Sequence, residues 1–320
     1  MDISVVIPFL NEEPNLQPLS EELRDALDPT GKDYELVFID DGSVDNGVAV
    51  LEGLREQIPQ IRIVSLRRNF GQTAAMAAGL DFASGDVVIT IDADRQNDPA
   101  DIPAMIDKLA EGYDLVCGWR HKRKDAAIMR KLPSKIANRL IAKTTGVVLH
   151  DYGCTLKAMT NTIAKKITLY GEMHRFIPAV ASAVGVKIAE VKVNHRARVA
   201  GESKYGISRT FRVILDLVTV KFLLKYSSRP IHFFGMPGLA LTSVGGLSLA
   251  YLVLGKLLFG MSIGDRPLLM LAILLLILGV QFILFGLIGE MQTRIYHESQ
   301  DKPVYYVRDA IGWPDDKSGG

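Results

Sequence analysis

The sequence predicts an α/β domain built on a mainly parallel, Rossmann-like sheet, followed by a two-helix membrane hairpin. Three observations carry this expectation. Runs of β-branched residues alternate with amphipathic stretches over the first two-thirds of the chain. Polar clusters sit just past the ends of those runs. Two later segments, from Phe233 to Gly255 and from Pro267 to Gly289, hold no charged residue.

The expected strands begin with IleSerValValIlePro from Ile3 and TyrGluLeuValPheIle from Tyr34. IleArgIleValSerLeu from Ile61, AspValValIleThrIle from Asp86 and TyrAspLeuValCysGly from Tyr113 complete the series. Strands that alternate with helices build βαβ units and a parallel sheet, and such sheets place ligands outside the carboxyl ends of their strands. There the chain reads ProPheLeuAsnGlu from Pro8, AspAspGlySer from Asp40, ArgArgAsnPheGly from Arg67 and AspAlaAsp from Asp92. Neither GxGxxG after the first strand nor GxxxxGK[ST] is present, so a nucleotide has to be held without the usual glycine-rich phosphate cradles.

The two uncharged segments match a bilayer core of about 30 Å at 1.5 Å rise per residue. They also explain a mean hydropathy of +0.17 in a chain of 320 residues with net charge +1. A buried core helix is the other source of such a run, but two runs joined by a loop from Lys256 to Arg266 favour a hairpin in lipid. Arg212, Lys221, Lys225 and Arg229 precede the first span, and Arg294, Lys302 and Arg308 follow the second. The connecting loop carries only Lys256 and Arg266, so both termini are expected in the cytoplasm of a cell with the hairpin in its inner membrane. Cys117 and Cys154 lack CxxC spacing and no signal peptide opens the chain, which fits a reducing compartment.

From Ser208 to Tyr226 an almost wholly apolar helix carries Arg212, Asp216 and Thr219 on one side and Lys221 and Lys225 on the other. It reads as an interfacial helix along the cytoplasmic leaflet, with a simple linker as the alternative. The expected organisation is thus a cytoplasmic domain over 1–205, a juxtamembrane helix over 206–229, the hairpin over 230–290 and a cytoplasmic tail over 291–320. Within the hairpin the spans run about 231–256 and 267–289, and Gly245 and Gly246 offer a surface for helix packing.

Asp92 and Asp94 lie two apart at a strand end, so in extended geometry both side chains project to one side, and Gln96 continues the spacing. Two carboxylates with a further oxygen suit a hard cation, Mg2+ or Mn2+, whose remaining positions go to water and substrate phosphates. A lone AspxAsp is also an ordinary loop sequence. Asp98, followed by Pro99, reads instead as a helix N-cap with proline at the first helical position. Asp41, just past the second strand, is placed either for a turn or for a hydrogen bond to ribose or a base edge. Between Arg120 and Lys143 nine Lys or Arg face a single acid, Asp125. That region is a solvated face, a patch for anionic headgroups, or a pocket for a phosphorylated lipid. A near-neutral chain argues against nucleic acid.

Taken together, ValValIlePro with AsnGlu, AspAspGlySer, ArgAsnPheGly, AspAlaAsp with Gln, and ArgValAlaGlyGluSerLysTyr from Arg198 resemble family-two glycosyltransferases. Within them the chain is similar, over nearly its whole length, to the polyprenyl-phosphate glycosyltransferases: dolichol-phosphate mannose synthases, bactoprenol glucosyltransferases and the undecaprenyl-phosphate formamido-arabinose transferase. The resemblance implies a GT-A fold. It implies Pro8, Asn11, Glu12, Asp41 and Arg68 near the nucleoside, and Asp92, Asp94 and Gln96 around the metal and diphosphate. Arg198, Ser203 and Lys204 would close over the phosphates, while Arg120, Arg130 and Ser134 would receive the acceptor phosphate. Asp151 would orient a sugar hydroxyl, act as a base, or only make a turn. AspTyrGlyCysThrLeuLys from Asp151 is closer to the formamido-arabinose transferase than to many mannose synthases, and Arg95 stands where relatives often have leucine. His174 and Arg175 either line the sugar pocket or serve structure, and His195 is read as structural.

The implied reaction moves one sugar, with inversion, from a UDP- or GDP-linked donor to undecaprenyl or another polyprenyl phosphate at the cytoplasmic leaflet. Two alternatives stand beside it: a membrane scaffold that binds nucleotide sugars without turnover, and a processive polysaccharide synthase. The absence of GlnxxArgTrp and a hairpin too small to enclose a channel disfavour the second. A homo-oligomer is compatible with all three readings.

Overall fold

The computed structural model describes residues 1–121, 142, 147–169, 173–182, 185–196, 230–264, 266–299 and 304–313. Arg130, Ser134, Arg198, Ser203, Lys204, the rest of the basic region and the helix expected over 208–226 lie outside the described residues. The chain forms two compact units: Met1–Leu217 together with Pro303–Gly320, and Val218–Lys302.

In the first unit the five expected strands form as β1 (Ile3–Phe9), β2 (Tyr34–Asp40), β3 (Ile61–Leu66), β4 (Val87–Thr90) and β5 (Leu115–Arg120). With β6 (Lys157–Thr160), β7 (Ile188–Val193) and β8 (Val307–Ile311) they make an eight-stranded sheet in the order β7-β5-β6-β4-β1-β2-β3-β8. β1 to β4 are mutually parallel. β6 runs antiparallel to both β4 and β5, so β5 shares the direction of β4, and β7 is parallel to β5. Six strands, β1 to β5 and β7, therefore end on one edge, as the polar clusters require.

Why β1 and β2 are so largely apolar follows from their packing, since both are buried along their whole length, and the buried Ser4 donates to Glu35 at 2.6 Å. Alternate residues serve opposite faces. Val5, Ile7, Leu36 and Phe38 pack with Leu16, Leu19 and Leu23 of α1 (Glu13–Leu27), Leu51 of α2 (Gly47–Leu54) and Ile102 and Met105 of α4 (Ile102–Ala110). Val37, Ile39, Val64 and Leu66 turn the other way, onto Ala75 and Ala78 of α3 (Gln72–Phe82). Small residues let α3 lie close to the sheet: a Cβ on Gly79 would stand 2.1 Å from Val6 Cγ1.

The strand β8 has no counterpart among the sequence expectations, which place residues 291–320 in a tail. Val307–Ile311 pairs antiparallel with β3 and covers what would otherwise be a bare sheet edge. Trp313 packs edge-on to Phe82, and the Tyr305 hydroxyl donates to Asp81 at 2.9 Å.

The second unit holds two helices, Pro230–Phe259 and Pro267–Ser299. Their apolar stretches, Phe234–Phe259 and Pro267–Gly289, are long enough to cross a membrane. Only 22% and 11% of their most apolar windows are buried, which separates them from core helices of a soluble domain. Glycine sets their contact. Added Cβ atoms on Gly238 and Gly279 would meet the facing backbone at 2.9 and 2.7 Å, and one on Gly245 would meet the Ala272 carbonyl oxygen at 2.9 Å. Among the described residues nothing lies within 4 Å of a Cβ on Gly246, whereas Gly245 meets the facing helix.

Candidate active site

At the end of β2, AspAspGlySer makes a turn whose glycine is required twice. Gly42 adopts φ +77°, and a Cβ there would lie 2.6 Å from the Arg68 carbonyl carbon and the Asn69 nitrogen. The turn after β2 is thereby pressed against the loop after β3. Asp41 locks that contact by accepting from the Phe70 and Gly71 amides at 2.7 and 3.0 Å. Burial raises its carboxyl above the usual range, against the lowering effect of those two amides. The turn is tied to the end of β1 as well: Asn11, at φ +56°, accepts from the Val44 amide at 2.9 Å, and its own amide donates to Ser43 Oγ at 3.0 Å. Glu12 accepts from Asn15 Nδ2 at 2.6 Å, Pro8 is buried within β1, and the Arg68 guanidinium lies 4.2 Å over the Phe70 ring.

A hydrogen bond carries this cluster to the next. Gln72, at the start of α3, donates to Asp92 Oδ1 at 2.8 Å, and Thr155 Oγ1 donates to Asp92 Oδ2 at 2.8 Å. The strand ends at Thr90 and Arg95 turns left-handed at φ +58°, so extended alternation does not reach Gln96. Instead the Gln96 amide closes onto Asp94 Oδ1 at 3.1 Å, and its carbonyl accepts from the Arg196 amide at 2.8 Å. The same turn sends Arg95 back to Glu22 of α1 at 2.5 Å. Asp98 caps the following turn through the Ala100 amide at 3.1 Å and pairs with Arg196 at 2.7 Å, as expected of an N-cap.

Burial and the neighbouring charge of Asp94 push Asp92 up to about 6, opposed by Thr155, Lys157 and Arg120. Each Asp92 oxygen accepts one of the two hydrogen bonds above, which leaves further lone pairs on a crowded, electron-rich pair. A divalent cation fits that environment because it would relieve the repulsion. Among the described residues no three His, Cys, Asp or Glu side chains gather, so a cation held here would draw its other ligands from water and phosphate.

The third cluster joins two residues that the sequence assigned separate tasks. Arg120, ending β5, donates through Nε to Asp151 Oδ2 at 2.6 Å and through its terminal nitrogen to Oδ1 at 2.9 Å. Side-chain exposures of 12% and 6% make this a nearly buried bidentate pair. Gly153 gives it room, for a Cβ there would stand 3.2 Å from the guanidinium. The segment from Asp151 to Lys157 thus touches Arg120 at one end and, through Thr155, Asp92 at the other.

Sequence reasoning missed Gln72, Thr155 and Lys157. Lys157 is 2% exposed, donates to the Cys154 carbonyl and adds positive charge beneath Asp92. Its signal was a lone lysine opening the apolar stretch LysAlaMetThr. His174 is buried with Nδ1 2.7 Å from Thr73 Oγ1, and His195 is buried where Asn97 and His195 form a β-bridge. Burial pushes the thiols of Cys117 and Cys154 up to about 12 and about 11. Since the thiolate is the reactive form, iodoacetamide at pH 8 is expected to leave both unmodified in the folded chain and to modify both after denaturation, read by intact mass.

A family model described as glycosyl transferase family 2 matches residues 4–168, from β1 through β6 and the short helix behind it. The chain belongs to glycosyl transferase family 2. This family 2 glycosyltransferase is 48% identical over 315 residues to the dodecaprenyl-phosphate galacturonate synthase of Rhizobium johnstonii, covering 96% of this chain and 92% of that one. It is 38% identical over 312 residues to the undecaprenyl-phosphate 4-deoxy-4-formamido-L-arabinose transferase of Shewanella sediminis, covering 97% and 92%. Among solved structures it resembles glucosyl-3-phosphoglycerate synthase of Mycobacterium tuberculosis at a TM-score of 0.52 and 21% identity, over 70% of this chain and 80% of that one. The same enzyme in complex with Mn2+, uridine diphosphate and phosphoglyceric acid gives 0.51 and 22%, over 69% and 78%. At those identities what is shared is the fold, GT-A.

Proposed function

We propose that this glycosyltransferase moves one sugar, with inversion, from a UDP- or GDP-linked donor to a polyprenyl phosphate at the cytoplasmic face of the inner membrane. One observation carries the reading. An unbroken series of contacts runs from Asp41 through Gly71 and Gln72 to Asp92, then through Thr155 to the segment that holds Arg120. The residues assigned here to donor and acceptor are thus linked to one another along one edge of the sheet, which supports the reading. Relatives whose names specify dodecaprenyl-phosphate and undecaprenyl-phosphate products support the acceptor class.

In this reading Asn11, Glu12, Asp41 and Arg68, with Pro8 behind them, hold the nucleoside. Asp92 and Asp94, with Gln96 beside them, would hold Mg2+ or Mn2+. When bound, that ion offsets charge on the departing nucleoside diphosphate. Arg120 receives the acceptor phosphate, and Asp151 fixes the guanidinium in place through both oxygens. A phosphate monoester has its second pKa near ~6, so at pH 7 it is largely dianionic and reaches the anomeric carbon without a strong general base. Asp151 is therefore used for position rather than for proton abstraction. Arg130 and Ser134 would extend the acceptor site, and Arg198, Ser203 and Lys204 would close over the donor.

Topology supports the cytoplasmic assignment. β3 and β8 lie in one sheet although the apolar helices separate them in sequence, so the chain leaves and re-enters the same unit. A hairpin with two crossings satisfies this, and the arginines and lysines flanking it favour the cytoplasmic side.

Purified protein supplied with undecaprenyl phosphate and a panel of UDP- and GDP-sugars, UDP-galacturonate included, is expected to form a lipid-linked product. Turnover is expected to stop with EDTA and return with Mn2+ or Mg2+. Absence of product with every donor and both metals would overturn the reading in favour of a binding scaffold.

A further inference from the structure

The segment that follows the hairpin lies against the loop assigned to the nucleoside. The Arg67 amide donates to the Tyr306 carbonyl at 2.9 Å, Arg67 Nε donates to the Val307 carbonyl at 3.3 Å, and the Tyr306 ring lies 6.1 Å from that of Phe70. Phe70 is the residue whose amide Asp41 binds and whose ring Arg68 covers.

Beside it stands an unusual carboxylate. Asp40 is 1% exposed, and its Oδ1 accepts from the Ser43 amide at 2.7 Å. Its Oδ2 is buried and has no hydrogen-bond partner among the described residues. The guanidinium of Arg308, in β8, comes within 3.9 Å of that oxygen while Arg308 Nε donates to Asp309 at 2.9 Å. A buried carboxylate oxygen with no donor is costly to keep, and the adjacent carboxylate of Asp41 adds repulsion. Arg308 thus supplies positive charge beside the buried carboxylate that ties down the Ser43 amide, in the turn that carries Asp41.

We propose that β8 is the outer wall of the nucleoside pocket, and that Arg308 is a positioning residue which, through Asp40, holds the turn that carries Asp41 against the nucleoside. This rests on the reading above that the Asp41–Arg68 edge takes the donor. It gives the sequence beyond the hairpin a part in donor binding: the strand is delivered only after the chain has passed through both apolar helices. Tyr306 contributes by packing on Phe70, so the wall has a charged and an aromatic component. Lysine at 308 would keep the charge and lose only the second guanidinium edge.

The test uses the full chain in nanodiscs, with UDP and GDP as the probes, by isothermal titration calorimetry. Arg308→Ala is expected to weaken the nucleotide that binds wild type at least about fivefold, and Arg308→Lys to recover most of that loss. Tyr306→Ala is expected to shift affinity in the same direction. The KM for polyprenyl phosphate and the unfolding temperature should stay at wild-type values in all three. Unchanged nucleotide affinity in both Arg308→Ala and Tyr306→Ala overturns the proposal. So does a parallel loss of acceptor KM and thermal stability, which would make β8 general support for the sheet. Wild-type protein that binds neither nucleotide would instead bring down the donor assignment itself.

Discussion

Asp94→Ala is expected to lower turnover at least about a hundredfold while the sheet stays folded, because electrostatic groups aimed at developing charge are worth that much in a preorganised site. The carboxylate lies four residues beyond the carboxyl end of β4, the residue is 8% exposed, and the amide two residues on donates to it. Removing it takes away half of the charge pair that would hold a divalent cation. Turnover should be compared with Mn2+ affinity measured by electron paramagnetic resonance, which reads the site whether or not transfer occurs. Asp94→Ala with wild-type metal-dependent transfer and wild-type Mn2+ affinity would remove Asp94 from the metal assignment.

The second large effect concerns Arg120 and Asp151. Breaking a buried ion pair from one side strands a charge, at a cost of about 3–5 kcal/mol, whereas replacing both partners with apolar groups is often close to neutral. Arg120→Met and Asp151→Leu are each expected to lower the unfolding temperature by roughly 6–20 °C for a domain of this size. The double substitution should recover most of that stability. It should not recover turnover if Arg120 receives the acceptor phosphate. A double variant that regains both stability and transfer would show that the pair serves only the fold.

The two experiments bear on different halves of one site. Their outcomes also separate two situations of a carboxylate inside the site. Asp92 is raised by burial and by Asp94, a stress that ligand binding would relieve. Asp151 already has its counter-charge in the protein, held by both oxygens. An arrangement that leaves the Asp92–Asp94 pair under strain and satisfies the single carboxylate of Asp151 is suited to receive a cation at the first and present an anchored guanidinium at the second.

Much of this was legible in the chain. β1 to β5 were marked by β-branched runs because a parallel strand buried on both faces has no reason to alternate polarity. Asp98 was separable from Asp92 and Asp94 because proline at the first helical position has a local meaning. Arg95 was not legible. Its partner, Glu22, lies 73 residues away, and the left-handed turn that directs it there is set by the loop around it. Gln72 and Thr155 escaped for the same reason: nothing local distinguishes an amide or hydroxyl that meets Asp92 from one that meets water.

By itself, then, the sequence determined the strand series, the edge on which polar residues gather, the apolar hairpin and the family motifs. Each of these depends on local pattern: side-chain period, turn chemistry, and the length of an apolar run against bilayer thickness. Tertiary structure alone decided that Arg120 and Asp151 form one pair, that Asp41 braces the loop after β3, and that the segment beyond the hairpin returns as β8 with Arg308 beside Asp40. The physical reason is that charge pairing and strand pairing act through space, between groups whose separation along the chain is fixed only once the sheet has formed.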